Sequence, residues 1–411
     1  MTDRPLPALF ELTPLNPVYR EDPQVLLDDL SARCPAHRDP SSGSLVLSRY
    51  ADVRGVVNDR EMWRDPFLAE EGAIMQRRMI AGVDPNLPRT STTSILLLDD
   101  PDHARVRQPL AQALYARVAK CRPQVEALVD AALDRLPNDV PFDLMDRFCV
   151  PIPIDVIAAI LGVDPERLAE FRRWSEGIIQ SLNPLKTPEQ AVEMEVSRIA
   201  LDAYFTEALE ARRRDPEDDL ITDMVQLQAA GAELSDAELR INLSALLVAG
   251  NLTTTDLIGN GVRLLLLNPA ELAKLRADPK IVNAVVEEVL RFEPPVEITG
   301  RLASREMEVG GCPMKPGQAI SVLLRSANRD PDAWPEPDRF DVSRKHRSHM
   351  SFGGGAHICI GAPLARLEAQ VALVRLFARF PTLRLANPEA APEWRTLPFF
   401  RGLQRLDVIG S

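Results

Sequence analysis

The sequence predicts a mainly α-helical fold with a small β subdomain, on three observations. Stretches such as "QVEALVDAALDRL" and "MEVSRIALDAYFTEALEARRR" carry apolar residues at helical spacing. Start and stop signals bracket the helices: Ser235 and Glu238 form a capping box, Pro101 and Pro363 open helices, and Pro269 and Pro294-Pro295 end them. Strand signals are confined to "SLVLSRYADVRGVV", a short strand followed by a helix, and to the glycine-rich, turn-punctuated segment from Val296 to Ser321.

Taken in order, the first sixty residues hold the N-terminal β-containing part. Residues 64 to 98 scatter Gly, Pro, Ser and Thr among apolars and read as a long irregular loop, a kind that is often functional. Asp100 caps the helix that follows. The helix opened by Ser235 runs through Leu267, about 30 residues or roughly 45 Å at ~1.5 Å per residue. Its polar residues thin out toward the middle, so it is expected to be buried along much of its length. At its midpoint "LVAGNLTTTDLIG" is poor helix material. Thr253 can turn its hydroxyl onto the carbonyl of Ala249, and Gly250 would let a flat ligand lie against the helix. The helix in "PKIVNAVVEEVLRFEPPV" sets Glu288 and Arg291 three residues apart on one face. "RDPDAWPEPDRFDVSR" is a proline-pinned meander, and helix resumes from Pro363 to Phe380. There is no internal repeat. The expectation is one large domain over 1–411, with the β-containing part at about 1–60 and a helical body at about 99–411.

Composition narrows the function classes. Of 411 residues 45% are hydrophobic, enough for a substantial core. The 48 Lys and Arg against 60 Asp and Glu leave a net charge of −12, which argues against general nucleic-acid binding. No window approaches the roughly 20 uncharged apolar residues of a bilayer span, so no membrane anchor is expected. The start "MTDRPLPALFELTPLNPVYRED" lacks the pattern of a signal peptide, so a cytoplasmic protein is expected. Five scattered cysteines with no C-x-x-C pair suit a reducing compartment and exclude the usual structural zinc spacings. A metal bound through sulfur would have a single thiolate.

"SFGGGAHICIGAPLAR" places three glycines, His357 and Cys359 just before a helix start. A free cysteine is most often a buried structural residue. This one precedes a helix N-terminus, where the positive end of the dipole favours thiolate, and flanking glycines clear space for a large planar partner. A phosphate-binding loop is excluded, since no Gly-Lys-Ser/Thr follows.

The order F-G-x-G-x-H-x-C-x-G, filled by Phe352, Gly353, Gly355, His357, Cys359 and Gly361, resembles the haem-thiolate signature of the cytochrome P450 superfamily. The resemblance covers the chain from about residue 45 to its end and implies the cytochrome P450 fold and a haem b cofactor, with Cys359 as axial ligand to its iron. Glu288 and Arg291 match the family's Glu-x-x-Arg, and Arg339 of "PDRF" would complete its buried Glu-Arg-Arg cluster, a structural device. His103 and Arg107 in "DDPDHARVRQPL", with Arg301 and His357, match partners of the haem carboxylates. Ala249, Gly250 and Thr253 align with the oxygen-binding helix. Here the chain departs: the family usually has an acid before the threonine, and this chain has Leu252. Asp256 and Asn251 are the neighbouring candidates to organise water. An Asp at position 256 would ordinarily be exposed.

The implied activity is that of a bacterial-type (class I) haem-thiolate monooxygenase. It would use O2 to hydroxylate or epoxidise a mid-sized lipophilic molecule, with electrons from a ferredoxin or flavodoxin and its reductase. A basic face of Arg105, Arg117, Lys120, Arg122, Arg344, Lys345 and Arg366 is the candidate docking site for that partner, though each is individually more often a solvated charge. The loss of the acid keeps open a peroxygenase or an oxidative coupling or rearrangement enzyme. A non-catalytic haem ligand sensor is the remaining alternative. The segments that wall the family's pocket, including the stretch around residues 176 to 195, offer Ile95, Leu97, Leu246, Ala249, Val296, Ile298, Phe399 and Phe400 here. Glu297 is the one acid among them, and strand alternation favours turning it outward.

Overall fold

The computed structural model describes residues 5–80, 88–345 and 347–411. The β signals converge on one four-stranded sheet. Ala36–Asp39 pairs antiparallel with Ser44–Leu47, which pairs parallel with Ala319–Leu323, which pairs antiparallel with Ile298–Leu302. Registers such as Leu45 opposite Ile320 and Thr299 opposite Val322 join segments far apart in sequence. Every residue of Ser44–Leu47 and Ala319–Leu323 is buried, as continuous apolar runs require. The helix Tyr50–Asn58 follows the second strand, as the sequence implies. The expected loop at 64–98 is instead broken by short helices at Ile74–Met79 and Arg89–Thr92, and its residues 81–87 lie outside the described residues.

The rest of the architecture is helical and gathers around one long helix, Asp236–Leu267. Its capping box forms: Ser235 Oγ accepts from the Glu238 N–H at 3.2 Å, and the Glu238 carboxylate accepts from the Ser235 N–H at 2.7 Å. Among the described residues it alone is long and apolar enough, by length and composition, to cross a bilayer, yet most of that stretch lies in the core. Helices Pro151–Leu161, Pro188–Arg214 and Ala362–Arg379 pack against it. Leu243, Leu247, Ile258, Val262 and Leu265 are fully buried there, each contributing about 1.5–3 kcal/mol of apolar burial.

A buried carboxylate ties this helical body to the irregular segment that leads to Cys359. On the helix Val282–Phe292, Glu288 is closed by two parallel bonds from Arg291, Nε and Nη2 each at 2.8 Å, and neither residue reaches solvent. Arg291 Nη1 then donates to the carbonyls of Asn328 and Pro337. The third member differs from the expectation. Arg344 Nε reaches Glu288 Oε1 at 3.2 Å, whereas Arg339 turns its guanidinium out toward Glu336 and Asp341 and supplies only its backbone carbonyl to Arg291 and Arg344. The carbonyl, fixed inside the cluster, leaves the Arg339 side chain pointing the other way.

This arrangement sets two arginines against each other. Arg344→Ala strips a partner from a buried charge and should cost about 3–5 kcal/mol, while Arg339→Ala should cost about 0.5 kcal/mol or less. Urea unfolding midpoints of the two variants make the comparison, and a larger loss at Arg339 would refute the assignment.

Candidate active site

Helix Ala362–Arg379 begins just after Cys359. The Cys359 sulfur accepts from the backbone N–H groups of Gly361 and Ala362, at the positive end of that helix. Burial deep in the molecule pushes the thiol up from its ordinary value, and those N–H groups with Arg107 and Arg366 pull against that rise. The sulfur opens onto an internal cavity. Gly361 does not line that cavity; its part in the site is the N–H it offers to sulfur.

The three glycines divide the work of shaping the loop. Gly353 has φ +67°, lines the cavity, and a Cβ there would meet nothing closer than the His357 carbonyl at 3.9 Å. Gly354 and Gly355 face away, against the end of the helix Tyr50–Asn58. A Cβ on Gly354 would fall 2.6 Å from Asn58 Oδ1, and one on Gly355, where φ is +62°, would fall 2.6 Å from the Val57 carbonyl. Asn58 Oδ1 accepts from the Gly355 N–H at 3.0 Å. Only one of the three glycines therefore makes room for a ligand; two let the loop sit on its support. Phe352 lines the cavity under Arg366, whose guanidinium lies 4.5 Å from the ring centre.

Across the cavity runs the middle of the long helix, presenting Leu246, Ala249, Thr253 and Leu257. The Thr253 hydroxyl donates to the Ala249 carbonyl at 2.9 Å, as the sequence suggested. Gly250 does not line the cavity, because one residue on along a helix points elsewhere: a Cβ there would touch Ile157 at 3.5 Å. Leu252 packs with Val248, Leu397 and Phe400 in an apolar cluster. Asp256 is no exposed acid. It is wholly buried and paired with Arg395 at 2.9 Å, and burial pushes it up to about 6 against the pull of that arginine.

One end of the cavity collects cationic groups. Arg64, Arg107, Arg301 and His357 line it, and His103 stands behind, its ring centre 4.1 Å from that of His357 and facing an adjoining cavity. Arg64 was not visible in the sequence: it lies in the segment read as irregular, held there by the Asp99 carboxylate, which accepts from its backbone N–H at 2.8 Å. Among the described residues no carboxylate pairs with Arg64, Arg107 or Arg301. Burial pushes Arg64 down to about 10 and Arg301 well below its ordinary value, where Arg64 itself adds to the repulsion. His357 is held neutral by burial and then by Arg64, His103 and the other cations. Arg64 Nε and His103 Nε2 are buried with no partner. Such a cluster calls for an anion.

The donor set fits haem b. A thiol lies on one wall, a helix with a small residue crosses opposite, and guanidinium groups without a carboxylate partner gather with the His357 imidazole where two carboxylates need partners. The cavity has a volume of about 370 Å³, within the ~300–1,000 Å³ of ordinary ligand pockets.

The chain matches the cytochrome P450 family model over residues 180–395. It is 38% identical to cytochrome P450 107B1 of Saccharopolyspora erythraea over 365 residues, 88% of each chain. The chain is a cytochrome P450. It is also 35% identical to the same organism's 6-deoxyerythronolide B hydroxylase, over 88% of this chain and 89% of that one. The crystal structure of myxobacterial cytochrome P450 CYP267B1 in complex with myristic acid superposes with a TM-score of 0.87 at 33% identity, covering 97% of this chain and 98% of that one. The P450 is accordingly a monooxygenase with haem b as its cofactor, and it draws electrons from redox partners.

Ile95, Leu97, Leu246, Val296, Ile298, Phe399 and Phe400 all line the cavity of this P450, joined by Ile179 and Leu182. Glu297 does not. It is buried with its back to the cavity, in a charge network that sequence alternation did not anticipate: Arg325 Nη1 lies 3.4 Å from Glu297 and also bonds Glu293, which accepts from Arg401 Nε at 2.6 Å. The network holds the C-terminal wall. Glu297 N–H donates to the Phe399 carbonyl at 2.8 Å and Arg401 N–H to the Pro295 carbonyl at 2.9 Å, keeping Phe399 at φ +69°. The expected basic face is largely spent internally: Arg105 pairs with Asp102 and Glu238, Arg117 with Asp223, Arg122 with Glu126, Arg344 with Glu288 and Arg366 with Glu287. Of the seven cations, Lys120 and Lys345 have no ion pair among the described residues.

The glycine assignments separate by stability. Gly355→Ala combines a left-handed backbone with a backbone clash and should cost about 1–3 kcal/mol, while Gly361→Ala, whose Cβ would sit 3.9 Å from the Cys359 sulfur, should cost about 1 kcal/mol or less. Chemical denaturation of both variants reads the difference; equal losses would contradict it.

Proposed function

We propose that this P450 hydroxylates or epoxidises a mid-sized lipophilic small molecule, with electrons from a ferredoxin or flavodoxin and its reductase. The observation that carries the reading is one cavity lined by the Cys359 sulfur and the Thr253 hydroxyl, with its remaining walls mainly aliphatic and aromatic. The myristic acid in the CYP267B1 complex is in keeping with a lipophilic occupant.

In this reading Cys359 holds the haem iron, and Arg64, Arg107, Arg301 and His357 hold the two carboxylates, with His103 supporting His357 from behind. When bound, haem supplies the activation of O2 and the transfer of one oxygen atom, with the thiolate's electron donation favouring O–O cleavage. The protein's part is to provide a thiol that would release its proton to solvent on binding a metal cation, aided by the N–H groups of Gly361 and Ala362, which favour the ionised sulfur. Apolar walls exclude bulk water from the reacting end. Thr253, whose hydroxyl donates a hydrogen bond to the Ala249 carbonyl, keeps its oxygen lone pairs free to accept from a water molecule and so would fix where a proton can be delivered.

Leu252, at the position where the family usually has an acid, packs among Val248, Leu397 and Phe400. That observation favours a second reading, in which hydrogen peroxide replaces O2 and the electron donor. Turnover with a ferredoxin system against turnover with peroxide alone separates the two.

Cys359→Ser should abolish the strongly red-shifted carbon monoxide band of the reduced, haem-loaded protein; an unchanged band would remove Cys359 from the iron. Thr253→Ala should divert several-fold more reducing equivalents into hydrogen peroxide, measured as peroxide released per NAD(P)H consumed. Coupling equal to the parent's would sink the role given to the hydroxyl.

A further inference from the structure

The cavity carries a polar group to which the proposed reading gives no part in holding haem or in the oxygen chemistry. Gln76, on the short helix Ile74–Met79, is 6% exposed and lines the cavity between Met75 and Met79 of the same helix. Its amide lies over Gly300, where an added Cβ would sit 3.6 Å from Nε2. The Gln76 carbonyl oxygen is buried without a partner. Neighbouring polar groups are accounted for in a way that Gln76 is not. Asn242 accepts from the Ile95 N–H at 2.9 Å and donates to the Glu238 carbonyl at 2.8 Å, and Ser351 donates to the Leu290 carbonyl at 2.7 Å. A buried amide left unpaired on an apolar wall is costly unless a bound molecule completes it.

We propose that Gln76 is the polar anchor of the substrate site, and that the substrate is a lipophilic alcohol whose hydroxyl hydrogen-bonds this amide. This rests on the monooxygenase reading of the same cavity and adds the substrate's functional group. A hydroxyl is the matching group because it both donates to a carbonyl oxygen and accepts from an amide N–H, so it satisfies Gln76 whichever way the amide is turned. The surrounding Met75, Met79, Ile298 and Phe399 suit the hydrocarbon body that carries it. A site built around such a bond discriminates strongly against an analogue that lacks the group.

The test uses the ferric holoenzyme and two rigid matched pairs, adamantane with 1-adamantanol and bornane with borneol, titrated by the Soret shift. In the parent each alcohol should bind roughly tenfold or more tightly than its hydrocarbon, and in Gln76→Leu the ratio should collapse toward one. A ratio near one in the parent, no Soret shift with any of the four, or a preference that survives Gln76→Leu would overturn the proposal. Loss of half or more of the haem from Gln76→Leu would assign the amide to the cofactor and overturn it too. The carbon monoxide band of the same preparations separates the two levels: without it the haem-thiolate reading fails and takes this one with it, whereas an intact band with no alcohol preference defeats the anchor alone.

Discussion

A buried carboxylate determines where the sulfur sits. Glu288 could not be buried without donors, and the donors it recruits are the means by which the helical body grips the loop. Arg291, locked to Glu288, presents Nη1 to the Asn328 carbonyl. Asn328 in turn accepts from the Met350 N–H at 2.7 Å and donates to the Ser351 hydroxyl at 2.9 Å. Ser351 is the residue before Phe352, whose carbonyl accepts the Cys359 N–H at 3.0 Å. Most of these links end on backbone groups, and the Glu288–Arg291 pair that anchors them is wholly buried. The position of one thiol is thus inherited from an ion pair on a different helix.

The opposite end of the cavity shows what happens when such pairing is withheld. Elsewhere nearly every buried guanidinium has its carboxylate, as Arg401 has Glu293 and Arg291 has Glu288. At the cluster of Arg64, Arg107 and Arg301 the fold concentrates like charge and stores the repulsion. Desolvated cations beside one another are costly without an anion among them, and in the proposed reading the haem carboxylates would supply it. On that reading, cofactor binding would stabilise the fold through this end as well as through sulfur.

Local rules were readable and long-range ones were not. The capping box at Ser235, the bond from Thr253 to Ala249 and the pairing of Glu288 with Arg291 all follow from residues within one turn of each other, and the structure contains all three. The apolar cavity residues were legible because the family signature around Cys359 carried the topology with it. Arg344 was missed because Arg339 and Arg344 share a segment with no periodicity, and only the path of the backbone decides which side chain turns inward. Gly354 and Gly355 were credited to the ligand because their true neighbour, Asn58, is remote in sequence. Alternation rightly turned Glu297 away from the cavity between Val296 and Ile298, but it could not show that this outward side is also interior, filled by Arg325 and Arg401. Arg64 and Gln76 lay in a stretch with no period from which to read orientation.

The two glycines seated on Asn58 have a wider meaning. The grip on the sulfur-bearing loop comes from the side chains of Asn58, Asn328, Glu288 and Arg291, none of which lines the cavity wall. Residues that shape the wall, such as Met79, Ile95, Ile179 and Phe399, belong to other segments. Selection can therefore rewrite what the enzyme accepts while the electronic character of its metal centre stays put, and a lineage built this way diversifies its chemistry of recognition without relearning its chemistry of oxidation.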